Sequence, residues 1–135
     1  NNIRVDLSTS QIFKVLVVED NRINQLVTKK IMEKNLYKCC VVDDGYEALK
    51  ILETEIFDII LMDINMPLLN GFETTRLIRN KNITTPIIAL TAFDKEEISE
   101  EAISAGMNDI IIKPFDQSKL FKAMSTLIYD AKNVG

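Results

Sequence analysis

Five short apolar runs recur along the chain, each continuous rather than alternating. They are Lys14-Val15-Leu16-Val17-Val18, Cys39-Cys40-Val41-Val42, Asp58-Ile59-Ile60-Leu61-Met62, Pro86-Ile87-Ile88-Ala89-Leu90 and Ile110-Ile111-Ile112. Such runs, rich in β-branched residues, predict strands buried on both faces, the pattern of a parallel sheet. Helical spacing fills the intervals. Segment 116–131 lines up Leu120, Ala123, Met124, Leu127, Ile128 and Ala131 on one face. Asp94-Lys95-Glu96-Glu97 opens a helix over 94–105, with Asp94 as its N-cap and Ile98, Ala102 and Ala105 on its buried side. Segments 45–53 and 71–80 predict two more helices. After residue 21, Ile23, Leu26, Val27 and Ile31 repeat, yet Lys30 falls inside their arc. Part of that helix is therefore expected at solvent or against a partner.

Five strand–helix pairs predict an α/β fold with a mostly parallel five-stranded sheet, and right-handed crossovers place helices on both of its faces. The weakest run, 39–42, suits an edge strand. Residues 1–12, with Asn1, Asn2, Ser8, Thr9 and Ser10, read as a tail or linker, 13–131 as one domain, and 132–135 as a tail. The 135 residues are enough for one sizeable core.

Charge and composition narrow the function. Sixteen Lys and Arg against twenty Asp and Glu leave a net charge of −4, without the basic footprint of a nucleic-acid binder. The chain has no histidine. That excludes Ser-His-Asp and Cys-His catalysis, His-ligated zinc, and a phosphohistidine of its own. Cys39 and Cys40 are adjacent, and a trans peptide holds their Cα atoms about 3.8 Å apart, short of the usual disulfide span. They read as reduced thiols on opposite faces of a strand in a cytoplasmic protein. The apolar runs fall far below the roughly 20 residues that span a bilayer, so direct membrane contact is not expected.

In sheets of this kind ligands bind beyond the carboxyl ends of the strands. Glu19 and Asp20 follow the first run, Asp63 the third, Thr91 the fourth, and Lys113, ahead of Pro114, the fifth. Asp43-Asp44-Gly45 follows the second and reads as a turn and helix cap, outside the site. Three gathered carboxylates need a counter-ion, because two unit charges about 4 Å apart repel by roughly 4 kcal/mol at an effective dielectric near 20. An all-oxygen donor set suits Mg²⁺, with Mn²⁺ as a second candidate. Asp63 is the candidate nucleophile, since a carboxylate can attack phosphorus to give an acyl phosphate. Lys113 and the Thr91 hydroxyl would neutralise and orient the transferred group. With no histidine as general base, the acyl phosphate should hydrolyse slowly.

Taken together, Val17-Val18-Glu19-Asp20-Asn21, Leu61-Met62-Asp63-Ile64-Asn65-Met66-Pro67, Gly71, Leu90-Thr91-Ala92 and Lys113-Pro114-Phe115 resemble the receiver domains of two-component response regulators. The likeness runs from about Lys14 to Ile128. It implies a flavodoxin-like (βα)5 three-layer sandwich of strand order 2-1-3-4-5. It further implies phosphorylation of Asp63 by a partner phosphohistidine, on a histidine kinase or a histidine phosphotransfer protein. Asp20, Asp63 and the Asn65 carbonyl would ligate Mg²⁺, with Glu19 assisting through water, and a cis Lys113–Pro114 bond would aim the Lys113 amine. Glu19-Asp20-Asn21-Arg22-Ile23-Asn24-Gln25 looks like receivers fused to hybrid sensor histidine kinases, which would tether the domain to a sensor. A stand-alone regulator, monomeric or weakly dimeric, is the alternative.

Two departures stand out. The fifth-strand position that is aromatic in many receivers is Ile110, which puts aromatic switching in doubt, and Glu19 replaces a common Asp. Phe93, two past Thr91, is placed to shield a phosphoryl group from water. The helix after Asn21 and the loop at 113–115 form the expected docking surface. Other classes fit less well. An aspartyl-phosphate phosphatase resembling the haloacid dehalogenases wants a second Asp where Asn65 stands, a flavin site would not begin with Glu19-Asp20, and a passive docking module would leave the acceptor residues without a purpose.

Overall fold

The strands of the sheet follow the apolar runs to within one residue. In the computed structural model, which describes residues 11–133, β1 (Lys14–Val18), β2 (Lys38–Val42), β3 (Ile59–Asp63), β4 (Ile87–Thr91) and β5 (Asp109–Ile112) form one sheet. Its order is β2-β1-β3-β4-β5 and every neighbouring pair is parallel. That is the flavodoxin-like order, with the run at 39–42 on an edge as its weak apolarity predicts. The helices α1 (Arg22–Lys34), α2 (Gly45–Ile51), α3 (Gly71–Asn80), α4 (Lys95–Ala105) and α5 (Gln117–Asn133) follow the strands in turn. Most of the expected tail at 1–12 lies outside the described residues, and the helix expected to stop at 131 runs on to Asn133. No helix among the described residues is long and apolar enough to cross a membrane.

Alternation along each strand divides the core in two. Val15, Val17, Ile59 and Leu61 face α1 and α5, where Met32, Leu120, Met124 and Ile128 close over them. Leu16, Val18, Ile60 and Met62 face α2, α3 and α4, meeting Ala48, Phe72, Ile78, Ile98 and Ala102. Cys39 packs toward the first layer and Cys40 toward the second, so the two free thiols do lie on opposite faces. Burial pushes Cys39 up to about 12 and Cys40 upward as well, which keeps both as thiols.

Local chemistry sets the helix starts. Asn21 caps α1 by accepting the Asn24 N–H at 2.9 Å, and Asp44 caps α2 through the Glu47 N–H at 2.8 Å. Asn70 and Glu73 exchange hydrogen bonds in a capping box at α3. Asp94 caps α4, whose far end closes on Gly106 at φ 107°.

Two details differ from the sequence expectation. β3 and β4 each lie one residue further along the chain than the apolar runs. Asp58 is spent before the strand, accepting the Lys14 N–H at 2.8 Å, while Asp63 pairs with Leu90 and Thr91 with Ile112 in the ladder. Asp63 and Thr91 are thus the last residues of their strands rather than the first beyond them. The other concerns the extent of exposure in α1, part of which meets solvent as Lys30 predicts, but through the apolar arc itself. The helix buries Gln25, Thr28 and Met32, leaves Ile23, Leu26 and Val27 exposed, and only half-buries Ile31. The first turns of α1 lie beside the polar carboxyl ends of β1 and β2, where a glutamine finds partners and an isoleucine would not.

Candidate functional site

Two neighbouring strand ends bring the acidic residues together. Glu19 and Asp20 leave β1, Asp63 ends β3, and one carboxylate oxygen from each lies within 4.8 Å of the others. Glu19 is 3% and Asp63 6% exposed, whereas Asp20 faces solvent. Glu19 is held at both oxygens. The Asn21 N–H donates to one at 3.1 Å and the Lys113 ammonium to the other at 3.2 Å. Lys113 Nζ also stands 3.8 Å from Asp63 Oδ1, which accepts the Asn65 N–H at 3.2 Å. The sheet fixes the main chain of this lysine, since the Lys113 N–H donates to Thr91 O at 2.7 Å, and the Lys113–Pro114 bond that follows is cis.

The electrostatics are unfavourable for a resting carboxylate. Burial and the neighbouring Glu19 charge push Asp63 up to about 7, against the opposing pull of Lys113 and the Asn65 N–H. One lysine cannot neutralise three acids. An all-oxygen cluster, partly buried and open on the Asp20 side, fits a hard divalent cation that keeps some of its water. Glu19, Asp20 and Asp63 are the residues that could hold it. The Asn65 side chain is exposed and its main chain sits beside Asp63.

Of the remaining expected residues, Thr91 is 2% exposed, and its hydroxyl oxygen accepts the Phe93 N–H at 3.0 Å. Phe93 itself is 43% exposed. Ile110 is 7% exposed and packs with the core cluster that contains Ala102 and Ala105. Asp43 and Asp44 stay out of the acid cluster, Asp44 as a cap and Asp43 bonded to Gln25 and Glu47.

Two residues shape the site that hydrophobic patterning passes over. Gly71 starts α3 against β3, and a Cβ there would come 2.5 Å from Asp63 O and 2.8 Å from Ile64 Cα. Only glycine lets the helix approach so closely. Gln25 is buried beneath α1 and bonded to Glu19 O and Asp43. Its signals in sequence are its place at the end of the stretch from Glu19 to Gln25 and a polar side chain where the helix meets the sheet.

A shallow groove of about 330 Å³ adjoins the acids, lined in part by Asn24, Val27, Ile31, Lys113, Pro114 and Phe115. It joins the exposed side of α1 to the loop after β5.

Comparison with known proteins agrees with this geometry. The family model described as response regulator receiver domain matches residues 15–125. The chain is 42% identical over 108 residues to the autoinducer 2 sensor kinase/phosphatase LuxQ of Vibrio vulnificus, a match covering 79% of this chain and 13% of that protein. Among solved structures, the receiver domain of the Francisella response regulator 1452 superposes with a TM-score of 0.82 at 34% identity, covering 88% of this chain and 98% of that one. The receiver domain of sensor histidine kinase PA1611 from Pseudomonas aeruginosa, solved with a magnesium ion in its active site cleft, gives 0.80 at 37% identity, covering 87% and 98%. With the strand order, the acid cluster and the strand-end threonine and lysine all in place, the chain belongs to the response regulator receiver domain family of two-component signalling.

Proposed function

We propose that the domain accepts a phosphoryl group on Asp63 from a partner phosphohistidine and serves as the receiver of a hybrid sensor histidine kinase. The observation that carries this reading is the buried Asp63, with carboxylate oxygens of Glu19 and Asp20 within 4.8 Å and the Lys113 ammonium 3.8 Å away. Such a carboxylate is costly to keep charged until a cation and a phosphoryl group arrive.

In the transfer, an Asp63 carboxylate oxygen forms the new bond to phosphorus while the phosphorus–nitrogen bond of the donor breaks. The imidazole leaves with that electron pair and takes up a proton from solvent. Lys113 lies against the charge that develops on the phosphoryl oxygens, and the Thr91 hydroxyl is the further donor at the strand ends. Asp20, Asp63 and the Asn65 carbonyl would hold Mg²⁺, or Mn²⁺ in its place, with Glu19 acting through water. When bound, the ion supplies charge neutralisation to the transferred group. The chain contains no histidine, so both the donor and any strong general base must come from elsewhere. Spontaneous loss of the phosphoryl group is therefore slow, and Phe93 at the rim slows water further.

The donor reaches the site along α1. Ile23 (70% exposed), Leu26 and Val27 form an apolar patch beside the groove at Pro114 and Phe115, suited to a helical partner that presents its histidine to Asp63. The match to LuxQ spans only 13% of that protein, so the kinase region and the cytoplasmic location belong to this reading.

Incubation with acetyl phosphate and Mg²⁺, followed by intact-mass spectrometry, tests it. One phosphoryl group should be added, and EDTA or Asp63→Asn should abolish the addition; label on another residue would refute the assignment. Val27→Lys should slow transfer from a phosphohistidine donor and leave acetyl phosphate labelling unchanged. Equal rates from the donor would place docking elsewhere.

A further inference from the structure

We infer that Gln25 is a positioning residue, which fixes the peptide group between Glu19 and Asp20 so that both carboxylates face Asp63. The inference rests on the phosphoacceptor reading above and deepens it. The Gln25 side chain is 9% exposed, and its Nε2 lies 2.6 Å from Glu19 O and 2.6 Å from Asp43 Oδ1. Both partners only accept, so the amide must present its NH₂ end to them, and both of its hydrogens are used.

The position of this bond gives it its role. The Glu19 N–H donates to Val42 O at 3.1 Å, the last bond from β1 to its neighbour β2. Beyond it the ladder no longer fixes the main chain. The next peptide group joins Glu19 to Asp20, and its rotation would swing both carboxylates at once. Gln25 holds that group by its carbonyl. Asp43 steadies the glutamine in turn, since its own N–H donates to Glu47 Oε1 at 2.8 Å at the start of α2. Burial of apolar surface alone would have turned Ile23, Leu26 and Val27 toward the sheet. Instead α1 places a glutamine there and exposes the apolar residues. An apolar residue at 25 would fill the space but leave the Glu19 carbonyl without its donor.

The test is calorimetric titration of the whole chain with Mg²⁺ at pH 8, beside a thermal melt, for wild type, Gln25→Met, Gln25→Glu and Asp43→Asn. Gln25→Met, similar in size but without a donor, should weaken Mg²⁺ binding about tenfold, the usual scale for residues that orient ligands from behind. Gln25→Glu should weaken it more, because its carboxylate would face Asp43 and the Glu19 carbonyl with nothing to donate. Asp43→Asn keeps an acceptor oxygen for Gln25 and should stay near wild type. If Gln25→Glu fails to fold, Gln25→Met decides. A Gln25→Met variant that melts lower yet binds Mg²⁺ as wild type does would overturn the inference and leave the phosphoacceptor reading intact. A wild type that binds no Mg²⁺ would overturn both.

Discussion

The two ends of the sheet are both acidic, and they handle their acids in opposite ways. Beside the amino ends Asp58 and Glu55 each have a lysine cation to themselves. Asp58 accepts the Lys14 N–H at 2.8 Å and faces Lys132 Nζ at 3.0 Å, while Glu55 takes Lys14 Nζ at 3.0 Å. The same lysines lie over rings, Lys14 on Phe57 and Lys132 on Phe13. At the carboxyl ends Glu19 and Asp63 share Lys113 alone among the described residues, with Asp20 beside them. The Asp58 and Glu55 charges are closed within the chain. The carboxyl end leaves negative charge over, which with burial raises Asp63 and favours a cation from outside.

Removing the surplus charge should have the largest effect. Asp63→Asn relieves the repulsion with Glu19 and should stabilise the metal-free protein at pH 8 by about 1–3 kcal/mol in urea unfolding. The gain has a definite pH window. Folded Asp63 holds its proton up to about pH 7 and the unfolded chain loses it near 4. The metal-free wild type therefore loses stability as pH rises through that interval, and the advantage of the variant should vanish near pH 4. A constant advantage at every pH would mean that charge is not its source.

At the opposite end the effect should be small. Lys132→Met breaks a half-exposed pair with Asp58 and should cost about 0–1 kcal/mol. It should leave Mg²⁺ affinity unchanged. A change in Mg²⁺ binding would show that the two ends are not independent.

Much of this contrast is legible in the sequence, because strand order and strand ends follow from strong local signals. The five apolar runs reach the ladder to within one residue, and Glu19, Asp20, Asp63, Thr91 and Lys113 fall at strand termini that a parallel sheet must bring together. α5 buries Leu120, Met124 and Ile128 as its spacing predicts, although Ala131 remains exposed. α4 buries Ile98, Ala102 and Ala105. The orientation of α1 is less legible, for a physical reason. Periodicity reports where apolar residues cluster, and it cannot say which side of a helix has a polar neighbour to satisfy. Lys30 in the apolar arc was the one sign that the arc faces outward. The role of Gln25 is not legible in sequence because its partners, Glu19 O and Asp43, come from the ends of two strands that only the fold brings together. Gly71 stands at a contact of main chain with main chain, which side-chain patterning does not encode.

The most direct test of the central claim is titration of the Asp63 carboxyl by carbon NMR, with and without Mg²⁺. Without the ion the resonance should titrate near 7, and saturating Mg²⁺ should move the midpoint well below that, because protons and the cation compete for the same oxygens. An Asp63 that titrates near 4 in both conditions would contradict the account, since the strand-end acids would then hold no charge in reserve for a ligand.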